Sequence, residues 1–459
     1  MGQEWDFIAM GGGAAGNGGG RHAAELGFKV AVIEQDRLGG ACQWTACVPS
    51  KALLQAAKSC WRYNTGPRSG SSGYGEQSDP ANALDYVRDL TNRLGSRTTP
   101  ESMAEKGVEV IRGTAGFEDE NTLRVGGRLL RARRILIATG SRPRVPDIPG
   151  IDEVDYLTNL NLFDLPGPPK SMIIMGAGPA GIEMCQAFNR LDTEVTVLEQ
   201  TDRILPRTDA ELAEKLRNQL TDEGVNFILG ADVRKVEQTN DSCCAVTLAT
   251  GDGERVLEAE KLLIAVGREV AVEELGLDRA GVRGDTGGIS VNDRLQTDNP
   301  NVYAAGDALG CWQFTHMATI ESKHATRNAL LDADEPMSYD AAGWCMFTDP
   351  ELASIGLSEA EANERGLDFE VYRIDPAMPD RAQIEGRPDG GAKIIAEPRG
   401  GRIFGAQILA ARAGEIIQEF SAAIRHGIPF RGLAEDVHPY PTLSIAHYVS
   451  GQVEWMQGD

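Results

Sequence analysis

Trp5-Asp6-Phe7-Ile8-Ala9-Met10-Gly11-Gly12-Gly13-Ala14-Ala15-Gly16 is the stretch of this 459-residue chain that decides its fold. Its first six residues read as a short buried strand. They run straight into a G-x-G-x-x-G, and a helical pattern follows to about Leu26. A second strand, Val30-Ala31-Val32-Ile33, ends in Glu34. The same order returns at Ser171-Met172-Ile173-Ile174-Met175, Gly176-Ala177-Gly178-Pro179-Ala180-Gly181, a helix to about Leu191, then Val195-Thr196-Val197-Leu198 and Glu199. In both copies the acidic residue stands 23 positions after the first glycine. Gly11 and Gly176 permit the tight turn, and Gly13 and Gly178 let the backbone approach a pyrophosphate. Gly16 and Gly181 let the helix pack on the sheet with its N-terminus toward the phosphates, and Ala15 in the first turn is a candidate cofactor contact. Glu34 and Glu199 then bind ribose hydroxyls. One G-x-G-x-x-G is weak evidence, because Gly-rich turns are common. Two copies of strand, turn, helix, strand and acid at matching offset point to two bound dinucleotides.

Composition sets the outer limits. Apolar content of 41% and charged content of 25% are ordinary for a soluble globular protein. A formal charge of −23 and a pI near 4.8 argue against nucleic acid or an anionic membrane as partner. Only 10 of the 45 basic residues are Lys, which fits either genome composition or mild salt adaptation. The N-terminus, MGQEWDFIAMGGG, lacks a basic region followed by an apolar stretch of signal length, and no run reaches a membrane span of about 18 apolar residues. The expectation is a cytoplasmic protein. Eight cysteines in so long a chain are no secreted disulfide scaffold, and a close pair in a reducing compartment points to redox or metal chemistry.

That close pair lies in Gly39-Gly40-Ala41-Cys42-Gln43-Trp44-Thr45-Ala46-Cys47-Val48-Pro49-Ser50-Lys51. The two thiols read as core residues, as metal ligands or as a redox pair. Zinc would want two more thiolates or imidazoles nearby at suitable spacing, and none is there. At a helix start, C-x4-C can close a small disulfide loop, with the helix N-terminus stabilising the Cys47 thiolate. The vicinal Cys243-Cys244 falls in an apparent strand, so one should point in and one out. Cys60, Cys185, Cys311 and Cys345 read as buried small hydrophobes.

The cysteine segment resembles the redox centre of the two-cysteine pyridine nucleotide–disulfide oxidoreductases, written G-G-T-C-x4-C-[IV]-P-[ST]-K, with Ala41 in place of Thr. The resemblance covers essentially the whole chain. Gly113-Thr114-Ala115-Gly116-Phe117 looks like the loop at the adenine end of FAD. Ala138-Thr139-Gly140 looks like the crossover into the nicotinamide domain, and Ala265-Val266-Gly267-Arg268 like the return, with Val270-Ala271 replacing the usual Pro-Asn. Thr297 through Asp307 matches the second FAD motif, whose Asp binds the ribityl chain. Phe347-Thr348-Asp349-Pro350-Glu351-Leu352-Ala353 matches the opening of the C-terminal dimerisation domain. The resemblance implies FAD and a nicotinamide dinucleotide as cofactors, Cys42 as interchange thiol and Cys47 as the thiol beside the flavin. It also implies Lys51 paired with Glu183 beneath the flavin ring; alone, Lys51 would read as a surface helix residue. Gly40, Ala41, Phe314 and Thr315 join the implied cofactor contacts.

The implied fold is α/β: two Rossmann-like dinucleotide-binding domains, for FAD and for NAD(P), plus a C-terminal α+β dimerisation domain. The expected bounds are 1–147 and 269–335 for the FAD domain, 148–268 for the NAD(P) domain and 336–459 for the domain that pairs two protomers. The Gly- and Ser-rich stretch from Asn64 to Pro80 reads as a mobile loop.

One departure bears on the acceptor. Disulfide reductases of this family end in H-x-H-P-T-x-S-E, whose second His serves, with the Glu, as acid–base partner across the dimer interface. This chain has His438-Pro439-Tyr440-Pro441-Thr442-Leu443-Ser444-Ile445, so Tyr440 and Ile445 occupy those places. A phenol of pKa about 10 is a poor proton acceptor at neutral pH. His438-Pro439-Tyr440 and Gln313-Phe314-Thr315-His316 resemble the mercuric-reductase branch, whose C-terminal cysteine pair is not found here, since the last cysteine is Cys345. His447 reads as an alternative proton relay or a helix-surface histidine, and His438 as structural. Glu199 favours NADH by repelling a 2′-phosphate, with NADPH possible if Arg203 swings over to offset it. Three functions compete: reductase of a metal ion, quinone or unusual sulfur compound; a dihydrolipoamide dehydrogenase-like enzyme or reductase of a small disulfide; and a flavin-bearing redox sensor without fast turnover.

Overall fold

The computed structural model describes residues 4–65, 79–240, 243–251, 253–375 and 377–445. The segment read as a mobile loop therefore lies largely outside the described residues, and His447 wholly so.

The first glycine-rich repeat builds a parallel sheet in which Val108–Arg112, Val30–Glu34, Glu4–Met10 and Arg128–Ile137 lie side by side, and Val302–Ala304 pairs with the last of these. Both faces are covered at its centre, which is why residues 7–10, 30–33 and 135–137 read as unbroken apolar runs. Ile8, Met10, Ile33 and Ile137 enter one core cluster, while their neighbours Phe7, Ala9, Val32 and Leu136 enter another on the opposite face. The antiparallel strands Thr122–Val125 and Ala115–Phe117 extend the sheet. Ala115 thus sits in a strand rather than the expected loop, because residues 115–117 pair with 123–125 and Phe117 buries its ring.

The second repeat builds a four-stranded parallel sheet in the order Asn226–Leu229, Glu194–Glu199, Ser171–Met175, Lys261–Ile264. Alternation again splits its residues, with Ile173, Met175 and Leu198 on one face and Met172, Ile174 and Val197 on the other. A two-stranded ribbon, Ser141–Pro143 against Arg268–Val270, carries the chain out to this unit and back. Beyond it, five antiparallel strands ordered Gly343–Met346, Glu351–Gly356, Ile403–Ala410, Gly391–Ala396, Glu370–Ile374 pack on the Ala413–His426 helix. The chain is therefore α/β, with two Rossmann-like units and a C-terminal α+β unit.

One apolar cluster locks the parts together at the site. Leu53, Leu54, Ala57 and Cys60 of the Cys47–Thr65 helix pack with Ile182, Cys185 and Phe188 of the Pro179–Asn189 helix and with Met346, Leu352 and Leu409 of the C-terminal sheet. Cys60 and Cys185 are buried hydrophobes there, as expected. Two sibling thiols are not: Cys311 is exposed and Cys345 only half-buried. Cys311 follows a left-handed Gly310 at the end of a surface turn, and Cys345 lies in the edge strand of its sheet, positions where the backbone leaves the core. Cys243 and Cys244 do alternate, with Cys244 the buried member.

Candidate active site

At both turns the first glycine has a left-handed backbone, with φ of 108° at Gly11 and 103° at Gly176, a region that costs an L side chain dearly. Space is lacking too: a Cβ on Gly16 would lie 1.7 Å from the Gly11 carbonyl oxygen, and one on Gly181 2.0 Å from that of Gly176. Ala15 is buried beneath the first turn. The helices that follow, Ala14–Glu25 and Pro179–Asn189, have no side-chain cap and no acidic residue in the first turn. Their N-terminal N–H groups and dipoles are thus left to an anion, as a pyrophosphate requires. The Gly12 N–H donates to Glu34 Oε2 at 2.6 Å and the Ala177 N–H to Glu199 Oε2 at 2.8 Å, so each carboxylate is tied beside its turn. These backbone-lined cradles fit two dinucleotides.

The redox segment backs onto the first cradle. Gly40 is left-handed, and a Cβ there would lie 2.7 Å from Gly13 Cα, so Gly40 and Ala41 open a short helix against the phosphate turn. Trp44 anchors that helix by donating from Nε1 to the Leu38 carbonyl at 2.7 Å, with Arg37 stacked over its ring. Cys42 lies in this Gly40–Trp44 helix and Cys47 is the first residue of the next. Both thiols are half-buried and free in this structure. The Cys42 thiol hydrogen bonds to Cys47 and, with Thr315 and the Lys51 charge helping against the opposing effects of burial and Glu183, brings the Cys47 thiol down to about 6. Cys42 moves the opposite way, raised by that same bond and by burial. The two titrate as a pair, and the first proton leaves from Cys47.

Around Cys47 the expected residues converge from distant parts of the chain. Thr315 Oγ1, at the start of the Thr315–Leu331 helix, lies 3.2 Å from Cys47 Sγ. Lys51 Nζ donates to Glu183 Oε1 and Oε2 at 2.9 and 2.7 Å. Glu183 also accepts the Phe347 N–H at 2.9 Å, and the Phe347 ring lies under Lys51 Nζ. Asp307 accepts from Ser141 Oγ at 2.5 Å, and Arg268 donates from Nε to the same hydroxyl and from Nη2 to the Ser141 carbonyl, both at 2.7 Å. The crossover residues Ala138, Thr139 and Gly140 lead into this knot, with Thr139 Oγ1 donating to the Ala271 carbonyl, and Gly267, left-handed at φ 118°, precedes Arg268. Phe314 stacks on His316 beside Thr315.

Several contributors went unread in the sequence. Ser141, next to the crossover glycine, had a signal in its position. Asn159, which donates to Thr45 O and Oγ1 and accepts from Arg268, had none. Nor had Glu321, wholly buried and holding the Gly306 N–H at 2.8 Å one residue before Asp307. Burial pushes the Glu321 carboxyl up to about 7.

Tyr440 stands apart. It is 73% exposed on the C-terminal unit, and its hydroxyl donates to Asp380 Oδ2 at 2.5 Å. His438 does pair with a glutamate, Glu419, at 2.6 Å through Nε2, while Nδ1 meets the Asp436 carbonyl at 2.9 Å. Burial alone would lower its pKa, but these acceptors raise it above the usual imidazole value. A His–Glu pair thus exists two residues before the family's catalytic position, with both ring nitrogens engaged. Arg203 does not swing toward Glu199, because its guanidinium donates to the carbonyls of Pro206 and Thr208.

Comparison with known proteins agrees with this geometry. Residues 5–325 match the pyridine nucleotide-disulphide oxidoreductase model and residues 343–448 the dimerisation domain of the same enzymes. A mercuric reductase of Bacillus cereus is 34% identical over 442 residues, covering 96% of this chain and 70% of that protein. A dihydrolipoyl dehydrogenase of Chlorobaculum tepidum is 32% identical over 449 residues, covering 96% and 95%. The Cu(II) complex of the HOCl-induced flavoprotein disulfide reductase RclA from Escherichia coli superimposes with a TM-score of 0.85 at 26% identity, over 99% of both chains. Among the described residues no helix is long and apolar enough to cross a membrane, and no cluster of three His, Cys, Asp or Glu side chains forms a metal site.

Proposed function

From the premise that the chain belongs to the pyridine nucleotide-disulphide oxidoreductase family, in the two-cysteine class that includes mercuric reductases and dihydrolipoyl dehydrogenases, we propose that it is a homodimeric, NADH-preferring reductase of metal ions. Members of this family depend on FAD and NAD(P)H, which supply the hydride and pass on its electron pair; the chain's own residues do the rest. In this reading Gly11, Gly13 and Gly16 hold the FAD pyrophosphate, Asp307 the ribityl chain, and Gly176, Gly178, Gly181 and Glu199 the nicotinamide dinucleotide. Lys51, fixed by Glu183, places positive charge beside Cys47. Cys47 carries the thiolate and Cys42 meets the acceptor.

The observation that carries the choice of acceptor is the state of the proton donors at residues 438–440. Both His438 nitrogens face acceptors, and the Tyr440 hydroxyl proton goes to Asp380. An ordinary disulfide needs protons for its two leaving thiols, whereas a metal ion needs only electrons. The mercuric reductases among the relatives and the Cu(II) complex of the structural neighbour support that direction.

The test is an acceptor screen with NADH against mercuric ion, cupric ion, quinones, lipoamide and glutathione disulfide. Metal ions should turn over fastest, and the two disulfides should lag by about 10²–10⁴-fold, the usual worth of general acid–base catalysis. Lipoamide or glutathione disulfide reduced on the order of 10 s⁻¹, a typical enzymic rate, would overturn the metal assignment. Slow turnover with every acceptor would favour a sensor.

A further inference from the structure

We propose that Asp380 is a positioning residue that takes the place of the missing acid–base dyad: it holds the Tyr440 hydroxyl proton, so that Tyr440 meets the acceptor with oxygen lone pairs rather than with a proton. This rests on the reading above of a homodimeric metal-ion reductase, together with the family resemblance, which puts Tyr440 of one protomer across the dimer interface from Cys42 of the other.

A phenol carries one proton, and here it is given to Asp380 Oδ2 at 2.5 Å, across a sequence separation of 60 residues. Asp380 opens the Asp380–Ile384 helix, and its neighbour Arg381 is committed to Glu385 at 2.6 Å instead. The two segments that carry the pair also expose large apolar side chains, Met378 at 47%, Ile384 at 68% and Val437 at 98%. The match to a dimerisation domain over residues 343–448 makes a second copy of this chain the cover for these segments. Once covered, a carboxylate–phenol bond sits out of water, where charge-assisted bonds are strong.

Proton balance links this geometry to substrate class. When the Cys42–Cys47 dithiol reduces one mercuric ion to the metal, or two cupric ions to cuprous, two electrons leave and the disulfide re-forms. Two protons are released and the acceptor takes none. When the dithiol reduces a disulfide, the acceptor takes two electrons and two protons to depart as two thiols. A tyrosine whose proton is held elsewhere favours the first case, by offering an oxygen ligand to the cation, and withholds help from the second.

The experiment compares the full-length protein with Asp380→Ala, Tyr440→Phe and the double variant, using NADH with cupric ion and with glutathione disulfide. Asp380→Ala frees the hydroxyl proton, so disulfide turnover should rise and the cupric-to-disulfide ratio should fall by roughly tenfold or more, part of the ~10²–10⁴-fold that a fully placed acid catalyst supplies. In the Tyr440→Phe background the same substitution should leave the ratio where it was, because the two residues act as one unit. A merely structural role would lower both acceptors together and hold the ratio constant, and that result would overturn the proposal. So would an equal change in ratio with and without the Tyr440 hydroxyl. If the unaltered protein fails to reduce cupric ion at all, the metal reading falls by itself, and the disulfide arm, by rising or not rising in Asp380→Ala, still decides the role of Asp380.

Discussion

At their turns the two dinucleotide units are alike nearly atom for atom, and one turn of helix later they part. Gly11 donates to the Ile33 carbonyl and Gly176 to the Leu198 carbonyl, both at 2.8 Å. Ala138 and Ala265 return the next strand to Met10 and Met175 at 2.9 and 2.8 Å. Seven residues after the first glycine, however, the first unit has Gly18 and the second has Glu183. Gly18 lets its helix lie against the Thr315–Leu331 helix, where an added Cβ would come within 2.8 Å of Ser322 Oγ. Glu183 instead leaves its own unit to hold Lys51 of the other. The turn is the same because in both units a left-handed first glycine and a third glycine with no room for a Cβ build it. The helix differs because one unit must pack closely and the other must lend a charge to the redox centre.

The comparison is broken most severely at the third glycine. Gly16→Val and Gly181→Val each drive a side chain into a carbonyl of their own turn, costing at least the ~1–3 kcal/mol of ordinary overpacking. Gly16→Val should yield protein without retained flavin and with a lowered melting temperature. Gly181→Val should stay yellow yet lose reduction by NADH. Absorbance after gel filtration and stopped-flow reduction separate the two, and a Gly181→Val protein that loses its flavin as readily would deny the division of labour.

The loan of Glu183 is tested next. Lys51→Met leaves the 7%-exposed Glu183 carboxylate without its cation. Breaking a fully buried pair costs about 3–5 kcal/mol; with Lys51 still 36% exposed the loss should fall below that, read by denaturant unfolding. Glu183→Gln should cost less, since the cation it abandons reaches water. Equal losses would mean the pair is no buried anchor.

Thiol ionisation gives a third measurement. With Cys47 at about 6, its thiolate fraction grows as pH rises through that value and vanishes well below it. In two-electron-reduced protein a long-wavelength thiolate–flavin absorbance should therefore be weak at pH 5, half-developed near 6 and full at 7 and above. Cys47→Ser should abolish it, whereas a band surviving that substitution would transfer the role to Cys42.

The smallest effect is expected at the paired acids. Glu199→Ala should relax the preference for NADH over NADPH by about 1–3 kcal/mol, the worth of a charged hydrogen-bond partner. Glu34→Ala should leave that ratio alone and weaken FAD retention. The readout is kcat/KM for the two nucleotides, and a native protein already tenfold better with NADPH would remove Glu199 from its role.

What the sequence determined by itself is what local chemistry dictates. Left-handed glycines, an uncapped helix start and an acid at the end of the next strand must follow one another at short fixed spacing, so both dinucleotide units stood in the linear text. So did Cys42 and Cys47, which share one short segment, and the absence of histidine at position 440. The tertiary structure alone decided what depends on elements meeting at long range: Asn159 bridging Thr45 to Arg268, Glu321 holding the Gly306 turn from within a helix, Arg203 drawn away to the 206–208 carbonyls, and Cys311 left at the surface. The same holds for Asp380 beside Tyr440. Nothing near position 380 marks it, because a hydrogen bond between segments 60 residues apart is fixed by how the C-terminal sheet and its loops pack, and packing is set by the whole chain at once.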